Sequence, residues 1–202
     1  DVIREEAEKD YQMMSGISQD VESSDTIWEQ TKARLPWLII GLFGGMLAAY
    51  MISFYEADIA LFPATAMFIP VITAMGGNVG IQSSAIVVKG LASNSLSSKN
   101  ILQSISKELS CATINACICS SIIFILSLCF NLTSLAMPIT VTLSLFIVIM
   151  FASMFGTAFP LLLNKFKIDP ALATGPFITL TNDIIGLNIY LFTGKAILGW
   201  LM

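Results

Sequence analysis

The sequence contains no histidine, and its four cysteines all lie in one apolar stretch, residues 111–129. Zinc sites and most hydrolytic active sites need histidine or closely spaced thiolates. This absence argues against a zinc site, a disulfide framework and a serine or metal hydrolase, and it favours cysteines that serve as small core residues. We therefore predict that the protein is not an enzyme.

Charge is also scarce in this sequence. Only 12% of the residues are charged, 55% are hydrophobic, and the mean hydropathy is +0.80. Soluble domains typically carry about 25% charged residues, so the composition predicts a multi-pass integral membrane protein. With a net charge of −4, nothing in the chain is basic enough to indicate nucleic-acid binding.

The charge that is present concentrates at the start of the chain, where nine of the fourteen acidic residues precede Leu35. Residues 1–15 are typical of a polar helix, and residues 16–25 of a linker rich in serine, aspartate and glycine. Ser24, Asp25 or Thr26 is a suitable cap for a second, amphipathic helix that ends near Arg34 and lies on the membrane surface. Because the chain opens without methionine, we expect it to be part of a longer protein.

Uncharged runs beyond Leu35 predict five transmembrane helices. The first run has 21 residues, which at 1.5 Å per residue crosses a hydrocarbon core of about 30 Å. A turn at residues 56–58 and a polar loop at residues 89–108 separate the first three spans. The predicted spans are residues 35–55, residues 59–88, two within residues 109–164 that part near residues 131–134, and one from Pro170 onward.

The distribution of basic residues predicts the orientation in the membrane. Seven lysines and arginines near the span ends fall on the side of the N-terminal segment, and Lys195 alone falls on the other. Lysine and arginine are enriched in cytoplasmic loops. The N-terminus is therefore predicted to be cytoplasmic and the C-terminus, after five crossings, to be outside.

The second predicted span ends in a polar half that contains Gly76, Gly77, Asn78, Gly80 and Gln82. Each glycine weakens a helix by about 0.8 to 1 kcal/mol relative to alanine, so these residues require a reason. One reason is close helix packing, because small residues four positions apart let helices approach. The other is a polar lining made of backbone carbonyls and the Asn78 amide, and spacing alone does not decide between them.

Asp183 is the only charged residue between Pro170 and Gly194. A charged residue at the centre of a membrane helix costs roughly 2.5 to 3.5 kcal/mol on insertion scales, so it usually faces protein, water or an ion. Gly175, Thr179 and Asp183 recur every four residues and share one helix face, and Pro176 should kink the helix there. A hydrogen-bonded or protonated Asp183 is the structural alternative, with Thr179 or Asn182 as its partner. An intramembrane aspartyl protease is excluded because no second membrane aspartate exists.

Oxygen ligands without histidine or thiolate suit a hard cation. Magnesium is usually held by one or two carboxylates and keeps several of its waters. One aspartate per chain undercompensates a divalent ion, whereas a symmetric dimer with two Asp183 side chains on its axis matches the charge. The residues alone thus favour a homodimer that binds a divalent cation between its subunits.

Several motifs resemble the membrane domain of the MgtE magnesium channels. They are Gly76 to Ser84 after Pro70, Asp169 to Ala173, and Thr181 to Gly186. The similarity covers nearly the whole chain, including the entry Arg34-Leu35-Pro36-Trp37. It implies an all-α homodimer of five-span subunits in the bacterial inner membrane, with a magnesium pore on the two-fold axis.

The resemblance also implies which residues line that pore. The family's pore acid falls on Asp183, with Thr179 and Gly175 as lining positions one and two turns earlier. The contribution of the second helix falls on Gly77 and Asn78, whose oxygens would touch a hydrated ion. Ile81 is a departure, since a polar residue can occur at that position in the family.

Members of that family carry an N-terminal cytosolic domain and paired CBS domains, which the resemblance places outside this chain as its partners. Residues 1–34 would then be a cytoplasmic connecting segment with a plug-like helix, and residues 35–202 the five-span pore domain. Acidic residues of the connecting helix would bind regulatory magnesium, unless they simply form a solvated face. These residues are Asp1, Glu5, Glu6, Glu8 and Asp10.

We expect the protein to move Mg²⁺ into the cytoplasm through a channel, with Mg²⁺ as the transported ion. Two alternatives remain within transport: a less selective pathway for Mn²⁺, Co²⁺ or Ni²⁺, and an exchanger that couples Mg²⁺ to Na⁺. A non-transporting membrane anchor or assembly subunit is the alternative from another class, because glycine pairs also serve helix association. Replacement of Asp183 separates transport from anchoring.

Overall fold

The computed structural model describes residues 11–17, 21–93, 101–130, 135–173 and 175–200, and the regular secondary structure in this part of the chain is all helical, without strands. The helices are α1 (Ile27–Ser53), α2 (Glu56–Leu61), α3 (Ala64–Ala92), α4 (Ile101–Leu128), α5 (Ala136–Lys165) and α6 (Pro176–Trp200). A short 3-10 helix, Pro170–Ala173, precedes α6, and residues 11–14 form one helical turn. The predicted all-α class is confirmed.

Four helices, α1, α3, α4 and α5, are long and apolar enough to cross a membrane. They confirm the first four predicted spans as elements, and they agree with a multi-pass membrane protein. The helix that carries Asp183, α6, has 25 residues but is not among the four within the described part of the chain. Its polar side chains lower its hydropathy, so the fifth crossing stays a prediction.

Helix α1 begins at the predicted cap and runs further than predicted. The Thr26 hydroxyl accepts a hydrogen bond from the amide of Glu29, and the Glu29 carboxylate accepts one from the amide of Thr26. The predicted break between a surface helix ending at Arg34 and a span starting at Leu35 is wrong. Pro36 removes one backbone hydrogen bond, but good helix formers on both sides keep a single helix through it.

Two predicted connections are also helical. Residues 56–58 belong to α2 and not to a turn, and α3 begins only at Ala64, after Pro63 interrupts the chain. The loop predicted over residues 89–108 is shorter, because α3 continues to Ala92 and α4 begins at Ile101. Apolar residues three and four apart, such as Ile101 and Ile105, already give this stretch a helical pattern.

Helix α5 is the centre of the bundle and packs against α3, α4 and α6. Its inward side chains meet those of α6 in a core that includes Val141, Leu145, Ile149, Leu187 and Tyr190. The Tyr190 hydroxyl donates a hydrogen bond of 2.8 Å to the carbonyl of Thr65, which ties α6 to the start of α3. Close packing of these side chains around the polar contact holds α3, α5 and α6 in one unit, since van der Waals contacts and interhelical hydrogen bonds drive helix association in a membrane.

Helix α1 lies at the edge of the bundle and contacts α6. Gly44 makes that contact possible, because a Cβ at this position would overlap the side chain of Leu180. A Cβ at Gly41 or Gly45, which lie four positions apart on α1, would have no atom within 4 Å in the described structure. Large apolar side chains cover the outer face of α1, as expected for a helix that faces lipid or another subunit: Leu38, Leu42, Phe43, Met46 and Tyr50.

Candidate cation site on helix α6

The start of α6 is a helix terminus and not the predicted kink. Gly175 has φ of +66°, in the left-handed region that glycine favours, and Pro176 is the first residue of α6. Proline suits this first position because its missing N–H would have no partner there. The predicted span from Pro170 is thus divided into a 3-10 turn and a helix.

Thr179 closes this terminus onto Gly175. Its backbone amide and its hydroxyl both donate to the Gly175 carbonyl, at 3.1 Å each. The carbonyl oxygen of Gly175 is therefore engaged within α6. The side chain of Thr179 remains half-buried on the face that Asp183 shares.

A cavity of about 900 Å³ opens beside this face, between α6 and α1. It contains all three residues of the predicted α6 face, together with three glycines of α1 and the chain segment before α1. Its lining includes Gly175, Thr179, Asp183, Gly41, Gly44, Gly45, Ile81, Arg34 and residues 14–17. A cavity of this size holds an ion with its water shell, since one water takes about 30 Å³ of liquid volume.

Asp183 is half-buried in this cavity. Neither of its oxygens forms a hydrogen bond or an ion pair with any residue in the described part of the chain. The hydroxyl of Thr179 is turned to Gly175, and the buried amide group of Asn182 has no partner either. The two partners proposed for a purely structural Asp183 are therefore not bonded to it.

Gly77 brings the backbone of α3 up to the acidic face. A Cβ at this position would lie 3.3 Å from Cγ2 of Thr179 and 3.8 Å from Oδ1 of Asp183. On the same helix, a Cβ at Gly80 would collide with the side chain of Asn182, and a Cβ at Gly76 would lie 3.1 Å from Cγ1 of Val148. These glycines support the packing interpretation of the polar half of the second span, and they place Gly77 next to Asp183.

Asn78 lies on a different face of α3. Its side chain is exposed in the single chain and does not line the cavity with Asp183. Gln82, one turn further, is exposed on the same face. The structure thus brings together Gly77, Thr179 and Asp183 but leaves Asn78 outside that group.

Sequence reasoning missed the cavity wall that α1 contributes. Gly41, Gly44 and Gly45 line the cavity opposite α6. The sequence signal for this wall is three glycines within five residues of an apolar helix. Arg34 also lines the cavity, and sequence reasoning missed it as well. It forms no ion pair with Asp183.

Two further predictions concern metal ligands. The acidic residues proposed as a regulatory site, Asp1, Glu5, Glu6, Glu8 and Asp10, lie outside the described residues. Among the residues that the structure describes, no three histidine, cysteine, aspartate or glutamate side chains are grouped closely enough to hold a metal ion. Asp183 is the one carboxylate among the residues that line the cavity, so a cation bound there by one chain would meet a single carboxylate.

Long apolar helices that hold a half-buried carboxylate beside a cavity are typical of the membrane domain of a transporter. A family model described as "MgtE: Divalent cation transporter" matches residues 69–193 of this chain. The chain belongs to this MgtE family. The match covers most of α3 and most of α6, the two helices that bring Gly77 and Asp183 together.

Curated bacterial relatives agree with this membership. The chain is 36% identical to the magnesium transporter MgtE of Bacillus subtilis and 33% identical to that of Enterococcus faecalis, over 94% of its length in both cases. It is 26% identical to the magnesium transporter MgtE of Thermus thermophilus over 98% of its length. The matched region spans only 42% to 44% of these relatives. Their names denote transport and not catalysis.

Proposed function

We propose that this chain is the membrane part of a magnesium channel or transporter that moves Mg²⁺ into the cytoplasm. The observation that carries the proposal is Asp183, a carboxylate without a protein partner in the described residues, beside a cavity of about 900 Å³. A charged residue at membrane depth is retained where it faces water or an ion. The relatives named magnesium transporters point to the ion.

The chemistry of the cavity fits a hydrated Mg²⁺ better than a stripped ion. Magnesium prefers oxygen ligands, sheds water reluctantly and usually keeps several waters when carboxylates hold it. Asp183 offers the charge, and the Thr179 side chain and the backbone near Gly77 frame the space around it. The hydrated ion would contact these groups largely through its waters.

A second copy of the chain completes the proposed site. One Asp183 leaves a divalent ion with an uncompensated charge, and two related by a two-fold axis balance it. The exposed polar face of α3 supports this assembly, because Asn78 and Gln82 would otherwise meet lipid from the middle of a membrane helix. In the homodimer that we propose, Asn78 contributes its amide to the ion path from this face.

The proposal requires α6 to be the fifth span. Its 25 residues extend about 37 Å at 1.5 Å per residue, which exceeds a hydrocarbon core of about 30 Å. Its low hydropathy comes from the polar face that would line the pore. Five crossings with a cytoplasmic N-terminus put Lys195 outside, where it pairs with Asp58 of α2 at 3.1 Å.

The membrane potential supplies the driving force in this scheme. Each elementary charge gains about 2.3 kcal/mol per 100 mV, so a divalent cation gains about twice that on entry. No coupled ion is then needed for uptake. The exchanger alternative would instead make Mg²⁺ flux depend on an opposing Na⁺ gradient.

Replacement of Asp183 by asparagine tests the proposal. We expect Asp183→Asn to reduce Mg²⁺ influx into proteoliposomes by at least tenfold, because the isosteric amide removes the charge that draws the ion from water. Glu56→Gln, which removes an exposed carboxylate of α2, is the matched control and should leave influx unchanged.

The same assay separates the alternatives. Unchanged influx through Asp183→Asn would contradict the proposed role of this carboxylate. Equal uptake of Mn²⁺, Co²⁺ or Ni²⁺ would favour the less selective divalent pathway, and a strict requirement for a Na⁺ gradient would favour the exchanger. A wild-type protein that folds but transports none of these ions would favour the membrane anchor.

A further inference from the structure

A second polar cluster lies at the junction of α3, α4 and α5, away from the Asp183 cavity. Ser83 of α3 donates a hydrogen bond of 2.6 Å to Oε1 of Glu108 on α4, and Ser153 of α5 donates one of 3.0 Å to the same oxygen. The two serine oxygens are 3.2 Å apart. Three oxygens from three helices therefore form a compact triangle.

This triangle is buried on its serine side and borders a cavity. Ser83 and Ser153 are 2% and 1% exposed. Glu108 and Ser153 line a cavity of about 220 Å³ together with Thr157, one turn after Ser153 on α5. The volume is sufficient for a small ion and a few waters. None of the lining residues belongs to the Asp183 cavity.

Thr157 is the independent sign that this cavity takes a ligand. Its side chain is only 4% exposed, and its hydroxyl oxygen has no hydrogen-bond partner among the residues that the structure describes. Buried hydroxyls in proteins are nearly always paired with protein groups, water or an ion. The described residues supply no such group for Thr157, so its partner would come from the cavity.

The charge of the cluster limits what that partner is. Glu108 contributes one carboxylate, and no lysine or arginine pairs with it in the described residues; its neighbour Lys107 is exposed. The remaining groups are neutral hydroxyls. Oxygen ligands select a hard cation, and a single carboxylate balances a monovalent ion but not a divalent one.

We propose that Glu108, Ser83, Ser153 and Thr157 form a binding site for a monovalent hard cation of the size of Na⁺. Oxygens only 2.6 to 3.2 Å apart enclose a small ion more closely than a large one. On binding, the serine hydroxyls turn their lone pairs towards the ion, and the Thr157 hydroxyl gains its missing partner. The cation thereby links α3, α4 and α5.

The position of the site gives this link a structural effect. Ser83 lies one turn after Gly80, and Ser153 and Thr157 flank Gly156, where a Cβ would collide with the Gly80 carbonyl. The cation would thus link the helices next to the backbone contact between Gly156 and Gly80. Bound Na⁺ is expected to stabilise the fold whether or not the protein transports Mg²⁺, so this inference does not depend on the proposed function.

Thermal unfolding of the purified chain in detergent micelles tests the site, with Na⁺ compared against choline at equal ionic strength and with divalent ions chelated. We expect saturating Na⁺ to raise the thermal midpoint by about 5 °C, and K⁺ to raise it less. Glu108→Gln should abolish the rise. Glu56→Gln and Asp183→Asn should retain it, since both carboxylates lie outside the site.

Sodium-22 binding to the same samples gives a direct readout, with about one ion expected per chain. If Glu108→Gln does not fold, Thr157→Val keeps the shape of the side chain and should weaken Na⁺ binding about tenfold. The proposal is overturned if wild type shows no Na⁺-dependent rise, if K⁺ matches Na⁺, or if the variants of the site respond like wild type. If Glu108 is a hydrogen-bonded carboxylate with a purely structural role, the variants of the site will respond to Na⁺ like wild type.

Discussion

The side chains next to Asp183 determine whether its carboxylate is free to bind a ligand. The neighbouring polar side chains on α6 do not bond to it: Thr179 is turned to Gly175, and Asn182 is buried against glycines of α3. On α3, Gly77 lies beside it, and the absent side chain leaves room there. The carboxylate therefore remains available to the cavity because Thr179 is bonded to Gly175, Asn182 packs against α3 and Gly77 has no side chain.

Gly77→Ala tests that arrangement at the scale of one methyl group. The new Cβ would lie 3.3 Å from Cγ2 of Thr179, which is tighter than ordinary van der Waals contact, and 3.8 Å from Oδ1 of Asp183. We expect Mg²⁺ influx into proteoliposomes to fall several-fold, because the methyl group occupies space beside the acid. The thermal midpoint should change little, since alanine also favours the helix.

Gly194→Ala is the matched control for this substitution. A Cβ at Gly194 would meet Cγ2 of Thr140 at 3.6 Å, an ordinary contact remote from the acid. Influx through this variant should equal that of wild type. Equal influx through Gly77→Ala would show that Gly77 serves packing alone.

Helices α3 and α5 meet backbone to backbone at one point of the bundle. Gly156 of α5 faces the carbonyl of Gly80 on α3, and Gly80 on its other side faces Asn182 of α6. Three helices thus approach closely around two glycines, as small residues allow in membranes. The buried hydroxyls and the Asn182 amide nearby indicate that this packing is polar as well as close.

Gly156→Ala should disrupt this contact. Its Cβ would collide with the backbone of α3, which cannot move aside as a flexible side chain does. Overpacking of this kind costs typically about 1 to 3 kcal/mol. We expect the thermal midpoint of the purified protein to fall by several degrees, whereas Gly194→Ala leaves it near that of wild type. A midpoint unchanged in Gly156→Ala would mean that α3 and α5 lie further apart than described here.

At the scale of the whole molecule, the exposed faces of α1 and α3 remain to be covered. The outer face of α1 is apolar and suits lipid, whereas the face of α3 carries Asn78 and Gln82. Polar side chains inside a membrane find polar partners in other helices. The proposed homodimer assigns that partner to the same face of a second chain.

Cysteine cross-linking tests the dimer. In a variant whose four native cysteines are replaced by serine, Gln82→Cys should form a dimer with a short bifunctional maleimide in native membranes, because the two copies of this face meet near the axis. Ile125→Cys, on an exposed apolar position of α4, is the control and should stay monomeric. Cross-linking at Ile125 but not at Gln82 would assign the interface to α4.

Several features of this protein follow from its sequence alone. Long uncharged runs produce helices in a membrane, since only helices satisfy every backbone group there. Thr26 starts α1 because its side chain caps a helix locally, and the Gly77 and Asp183 motifs identify the MgtE family without any knowledge of their contacts. These properties depend on local chemistry and composition, and both can be read directly from the sequence.

Other features were decided only by tertiary structure. Pro36 and Pro176 are the same residue type, yet the first lies within a helix and the second begins one, after the left-handed Gly175, which packs against the backbone of Met14. The separation of Asn78 from Asp183, and the meeting of Ser83, Glu108 and Ser153 from three helices, likewise depend on how the helices rotate against one another. Periodicity indicates which residues share a face, but only packing determines what that face meets.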